Sequence, residues 1–309
     1  MPQFKNDKCP VCGHTGYAKI GKSDLGTVKI EKPKEAWVVK CKRCKAIFAN
    51  PMPVWSADDF AVLYNVEYFP PAKSFISKRW ESHMSMGNTH RRFKVIQKYL
   101  KAENKRVLEF GAGVKAYMSK FLYAKGWSVT LQEPSKEFAA VLRNTCPHFE
   151  IIDSDFTHHQ THYQKITRYS LIYADSVMEH VHNPVDYLKR CAELLEPGGI
   201  FYFISPNEHS LKNAVKNIVS KVRKKPTPYI APYTQPYHLV GFSGKGIKLA
   251  SQKAGLLPVK RITRYDYMWW RMFEHKKRLP LSLLIAPLLF LVDLIGWGTN
   301  QEIILRKEI

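Results

Sequence analysis

Val107-Leu108-Glu109-Phe110-Gly111-Ala112-Gly113 is the stretch that decides the fold. A short strand, Val107–Phe110, runs into two glycines, and a helical pattern follows from about Ala116 to Gly126. Outward from there the rhythm repeats. A strand Ser128–Gln132 ends at Glu133-Pro134-Ser135, a helix reaches about Asn144, and a third strand Phe149–Ile152 ends at Asp153-Ser154-Asp155. Ser170–Tyr173 is the fourth strand, Pro184–Leu195 a helix, and Gly198-Gly199 turns the chain into strand Ile200–Ile204. An amphipathic helix, roughly Trp80–Lys101, precedes this series; a helix near Lys245–Ala254 and strands near Pro258–Asp266 and Gln301–Lys307 follow it. Strand and helix alternating at this spacing predict an α/β fold with a doubly wound, Rossmann-like sheet.

The strand tips carry the chemistry. Gly111 and Gly113 let a backbone approach a ligand, and the next helix start offers free N–H groups to a carboxylate or phosphate. Glu133 ends the following strand about 20 residues on, where an acid holds two ribose hydroxyls. After strand three, Asp155 can bind an adenine amino group and Phe156 can cover the ring. A nicotinamide dinucleotide would use GxGxxG, whose third glycine falls on Ala116, which the looser form permits. The discriminators are therefore Asp155-Phe156 and the Glu179-His180 segment, which such enzymes have no reason to carry.

Six cysteines are present, four of them in two CxxC pairs, Cys9/Cys12 and Cys41/Cys44. No apolar segment follows Met1, so export is not expected, the thiols stay reduced, and the knuckles read as Zn²⁺ ligands in a cytoplasmic protein. Residues 1–50 are expected to form a zinc ribbon, 51–104 a helical connector or lid with a short helix around Ala57–Tyr64, and 105–309 the sheet domain. That domain carries an insertion at about 207–240. Lys plus Arg number 48 against 26 Asp plus Glu, a formal charge of +22. This excess favours an anionic partner, although Lys8, Lys42, Arg43 and Lys45 also offset a thiolate site near −2. At 45% hydrophobic, the chain excludes bulk disorder.

Together these motifs resemble class I S-adenosylmethionine-dependent methyltransferases. Asp175-Ser-Val-Met-Glu-His180-Val-His-Asn-Pro184, Leu194-Leu-Glu-Pro-Gly-Gly199 and Pro236–Ser243 continue the likeness, and a zinc ribbon, Asn50-Pro51 and Glu67-Tyr68-Phe69 precede the domain in many bacterial relatives. The resemblance covers nearly the whole chain. It implies a seven-stranded sheet and a cofactor site of Glu109, Gly111, Gly113, Glu133, Asp155, Phe156 and Asp175. Lys115 stands where the family usually has a third glycine, which raises the alternatives of a narrowed pocket, a lysine paired with the methionyl carboxylate, or an impaired site. Methyl transfer is an in-line displacement governed by proximity, with a base needed only for a hydroxyl or acidic carbon. His180 and His182, after strand four, are the catalytic candidates; packing against the neighbouring helix is the competing role. His209 and His238 are secondary candidates, and Cys146 and Cys191 read as core. Ubiquinone-type O-methyltransferases are similar at Glu179-His180 but hold a metal with a further Glu; that position is Ser176 here, so their metal site is not carried over.

Three acceptor classes remain open. Relatives that modify sugars point to a small-molecule or glycan hydroxyl, with Lys212, Lys216, Lys221, Arg223, Lys224 and Lys225 suited to substrate phosphates. The charge favours RNA, although Ala174-Asp175-Ser176 is not the tetrad of amino-group nucleic-acid methylases. A non-enzymatic interaction protein is the third. Residues 279–298 are almost wholly apolar, but the strands on either side must lie on one face of any membrane, which excludes a single crossing. A packed helical hairpin or peripheral membrane contact through 269–298 is the expectation.

Overall fold

The computed structural model describes residues 3–5, 8–22, 35–54, 59, 63, 75–154, 168–223, 238–265, 287 and 290–309. Asp155, Phe156 and the expected helix at 57–64, apart from its single residues 59 and 63, lie outside them. Near the N-terminus, β1 (Gln3–Lys5) pairs with β5 (Met52–Val54), while β2 (Tyr17–Lys22), β3 (Trp37–Cys41) and β4 (Ile47–Asn50) form antiparallel hairpins carrying the knuckles. After α1 (Phe75–Tyr99) the alternating series begins: β6 (Arg106–Phe110), α2 (Tyr117–Tyr123), β7 (Ser128–Gln132), α3 (Lys136–Thr145), β8 (Glu150–Ile152) and β9 (Tyr169–Asp175). Next come α4 (Pro184–Leu194), β10 (Leu195–Pro206), α5 (Leu211–Val222), β11 (Val240–Gly241), α6 (Gly244–Lys253), β12 (Leu256–Arg264) and β13 (Asn300–Lys307).

Seven strands form one sheet in the order β12-β13-β10-β9-β6-β7-β8. The β6–β10 ladders are parallel, and β13 runs antiparallel between β10 and β12. This is a Rossmann-like α/β sheet with the seven strands that the resemblance implies. The strand period sorts each strand's side chains to two faces. Leu108, Phe110, Phe201 and Phe203 pack with α4 and α6 on one face. Val107, Leu171, Tyr202 and Ile304 pack with α1, α2 and α3 on the other.

Side-chain caps start most of these helices: Ser135, Asn183, Ser210 and Ser243 each accept from a backbone N–H in the first turn. Helix α2 is the exception and is shorter than its sequence pattern. Its N-cap, Ala116, takes a left-handed φ of 42° with no side-chain cap. Strand β10 is longer than Ile200–Ile204, because Leu195 already pairs with Tyr169 before a register shift at the left-handed Gly198.

The ribbon is joined to the sheet domain. Strand β11 adds to β4, making a four-stranded sheet β11-β4-β3-β2. Cys9, Cys12, Cys41, Cys44, Val39 and Phe48 share one buried cluster with Phe201, Phe203 and Ile303. Lys253 Nζ donates to the Cys12 carbonyl, Ser243 Oγ donates to that of Cys44, and His209 Nε2 lies 3.1 Å from that of Lys45. His209 is therefore engaged with the ribbon backbone.

Candidate active site

The carboxyl ends of β6, β7 and β9 open onto a cavity of about 520 Å³. Its floor is the turn after β6, where Gly111 and Gly113 have φ of +56° and +58°. A Cβ on Gly111 would lie 2.6 Å from Val177 Cγ2, so the turn closes only with glycine there. At Gly113 a Cβ would meet nothing within 4 Å, which leaves room for a ligand against the backbone.

Two buried carboxyl groups frame this turn. Glu133 accepts from Gly113 N (2.8 Å) and Ser135 N (2.9 Å), one bond to each oxygen, so lone pairs remain for ligand hydroxyls. Burial pushes it up to about 7 against the pull of those two amides. Glu109 accepts from the backbone N–H and the hydroxyl of Ser119, which ties β6 to α2. Burial, opposed by Ser119 and aided by the charge of Asp175, also raises it to about 7.

Asp175 ends β9 at the cavity wall, where its carboxylate is held 2.7 Å from Arg92 Nη1 and accepts from Ser176 Oγ. Arg92, Asn88 and Thr89 come from α1, which walls the cavity. Sequence reasoning missed these three: the helix was legible, but a contact across 83 residues leaves no local pattern. Lys115 also lines the cavity.

A short 3₁₀ turn, Met178–His180, follows β9 and carries His180 to the cavity wall. Behind it the His238 ring packs edge-on at 4.9 Å between centroids, and Glu179 Oε1 lies 3.9 Å from His180 Nε2. Burial, then the neighbouring His180, drives His238 down to about 3, so that ring is neutral. Burial raises Glu179 to about 8, with Asp175 and Glu208 adding to it. Ligand atoms of Glu179, His180 and His238 lie within 4.8 Å of one another, a donor set able to hold a divalent cation. His182 does not join them; it faces a second cavity, between the first knuckle and α4, beside Cys9, Pro10 and Asp186.

The four knuckle sulfurs also converge. They are buried and lie within 4.8 Å of one another, with Cys9–Cys44 and Cys12–Cys41 at 3.6 Å. Tetrahedral Zn²⁺ with sulfurs at about 2.3 Å spaces them by about 3.8 Å, so the set fits that ion.

Comparison with known proteins gives a family and several relatives. The profile of the methyltransferase domain family matches residues 82–260. The ubiquinone biosynthesis O-methyltransferase of Hydrogenovibrio crunogenus is 24% identical over 140 residues, 42% of this chain and 56% of that protein. The protein of the same name from Coxiella burnetii is 28% identical over 129 residues, 38% of this chain and 50% of that one. The chain thus spans about half the length of the curated relatives it matches. Among solved structures, a SAM-dependent methyltransferase from Archaeoglobus fulgidus is 15% identical at a TM-score of 0.47, covering 72% of this chain and 94% of that one. The magnesium protoporphyrin IX methyltransferase from Synechocystis, with bound S-adenosylhomocysteine, is 11% identical at 0.48, covering 82% and 97%. With more than half of its length matched by the domain profile, the chain belongs to the methyltransferase domain family.

Proposed function

We propose that the chain methylates a hydroxyl of a small-molecule or glycan acceptor, with His180 as the general base. The observation that carries this reading is the position of His180, buried at the wall of the glycine-floored cavity with the neutral His238 ring against it. A neutral imidazole neighbour adds no competing positive charge, which favours a His180 able to accept a proton. S-adenosylmethionine, when bound, supplies an electrophilic methyl on a sulfonium. Around it, Glu133 would accept from ribose hydroxyls, Gly111 and Gly113 would give close backbone approach, and Glu109 and Asp175 would face the ammonium end. Asp155 and Phe156 remain proposed adenine contacts. Relatives named as O-methyltransferases support an oxygen acceptor.

At the ribbon we infer a structural Zn²⁺ held by Cys9, Cys12, Cys41 and Cys44, supported by the sulfur spacing and by four protein ligands that leave no open position. Sugar phosphates suit the cations that follow β10. The +22 charge keeps RNA as the second reading.

Labelled methyl transfer across nucleotide sugars, phenols and short RNAs is the direct test. His180→Ala should lower kcat by about 10²–10⁴-fold and leave S-adenosylhomocysteine affinity within about threefold. Methylation confined to RNA would reject the acceptor class, and an unchanged kcat would reject the base. Absence of any S-adenosylhomocysteine binding heat would favour the interaction-protein reading.

A further inference from the structure

Helix α5 is built inside out. A surface helix ordinarily turns its apolar stripe to the core. In α5 the stripe Val215, Ile218, Val219 and Val222, at i, i+3, i+4 and i+7, faces solvent; Ile218 is 62% and Val222 77% exposed. Turned inward are Leu211, at the first turn, and Asn213, which is buried and donates to the Glu208 carboxylate at 3.1 Å. Basic residues border the stripe at Lys212, Lys216, Lys221 and Arg223, and α5 contains no acid.

A second apolar element adjoins it. Residues 290–294 are helical, with Val292 packed inward against Tyr265 and Leu211. Phe290, Leu291, Leu294, Ile295 and Trp297 are exposed. The two elements meet where Leu211 N donates to the Trp297 carbonyl and Asn207 donates to the carbonyls of Gly296 and Gly298. Both lie past the carboxyl end of β10, whose Ile204 pairs with Asp175, so they stand at the same sheet edge as the cavity.

Charge identifies the occupant. From His209 to Tyr265 the sequence has no Asp or Glu and a dozen Lys and Arg. An exposed aliphatic stripe edged by Lys212, Lys216, Lys221 and Arg223, against the single acid Asp293 within 290–297, matches an anionic lipid–water interface, where the apolar face enters the acyl boundary and the cations meet headgroups. A nucleic-acid surface interleaves its cations with aromatic stacking platforms; here the cations border the Val and Ile stripe of α5, and the exposed rings, Phe290 and Trp297, belong to the adjoining element. We propose that α5 and residues 290–297 dock this protein on an anionic bilayer leaflet, with the open edge of its sheet toward the membrane. The proposal does not depend on the acceptor reading.

Flotation of the full chain with phosphatidylcholine vesicles, with and without phosphatidylglycerol, tests it. The wild type should float with the anionic vesicles only, and salt should weaken the association. The pair Ile218→Asp and Val222→Asp should lower partitioning about tenfold or more. Because both sites are exposed, S-adenosylhomocysteine affinity and thermal stability should hold, which separates lost docking from lost folding or lost cofactor binding. Bromolipid quenching of tryptophan emission should fall in Trp297→Phe. Wild-type protein absent from the anionic lipid fraction, or a double variant that floats equally well, would overturn the proposal. So would a wild-type dimer that the two Asp substitutions dissolve, since the stripe would then be a self-association face.

Discussion

At the scale of single residues, the site turns on carboxyl groups held where ionisation is costly. Burial lifts both Glu109 and Glu133 to about 7. In the unfolded chain they would titrate near 4.3, so the folded apo protein binds more protons between those values. Their contribution to stability is present below the unfolded pKa and is lost as pH rises through about 7. A ligand that donates hydroxyl or ammonium protons favours the ionised forms, and its binding should release protons near neutrality. Affinity for S-adenosylhomocysteine is therefore expected to tighten from about pH 6 to about pH 8. Glu133→Gln should weaken it about 10–100-fold and flatten that dependence, the scale of charge-assisted hydrogen bonds lost. Calorimetry in buffers of different ionisation enthalpy measures both effects. A pH-independent affinity would show that these carboxyls do not meet the ligand.

At the scale of elements, the seam between ribbon and sheet domain positions the histidine pair. Leu239 is the hinge: its carbonyl accepts from Ala49 N of β4, and its own N–H donates to the Glu179 carbonyl beside His180. His238, immediately before it, is thereby set against the His180 ring. Ser243 helps anchor this segment, donating to the Cys44 carbonyl while capping α6 through Gly246 N at 2.9 Å. Ser243→Ala should lower stability by roughly 1–2 kcal/mol and speed hydrogen exchange at the Leu239 amide, with cofactor affinity unchanged. Unaltered exchange there would separate the ribbon from the site. The strands and helices of the sheet domain were legible because each carries its own period and its own turn or cap residue. Glycines, the acid after β7 and the knuckles were legible because their chemistry is local. The seam was not: β11 is two residues long, too short for any period, and His238 meets His180 only through tertiary pairing across 58 residues. Arg92 was hidden for the same reason, on a helix whose sequence shows that it packs but not which cation faces β9.

At the scale of the whole molecule, one buried acid ties the cavity wall to the last strand. Glu302 of β13, fully buried, accepts from Arg91 Nη1 and Nη2 and from the Tyr202 hydroxyl at 2.6 Å, and forms an ion pair with Arg92, whose Nε lies 3.7 Å away. Arg92 in turn reaches Asp175, so α1, β9, β10 and β13 meet at one ionic node. Burial pushes Glu302 upward, but Arg91 and the other partners outweigh it and hold the carboxyl below its ordinary value. Such a group contributes stability that is present above the unfolded pKa and is lost as pH falls through the folded one. Glu302→Gln leaves two guanidinium groups facing a neutral amide and should cost roughly 3 kcal/mol at neutral pH. As the wild-type carboxyl protonates at a pH below the ordinary carboxylate range, the two proteins should converge. Urea unfolding of both across that range reads the gap directly. With α1 less firmly anchored, the variant should also bind S-adenosylhomocysteine more weakly, because Asn88, Thr89 and Arg92 wall the cavity from that helix. A gap that stays constant into acid would mean the loss comes from packing alone and would remove the ionic node as the tie between sheet and cavity wall.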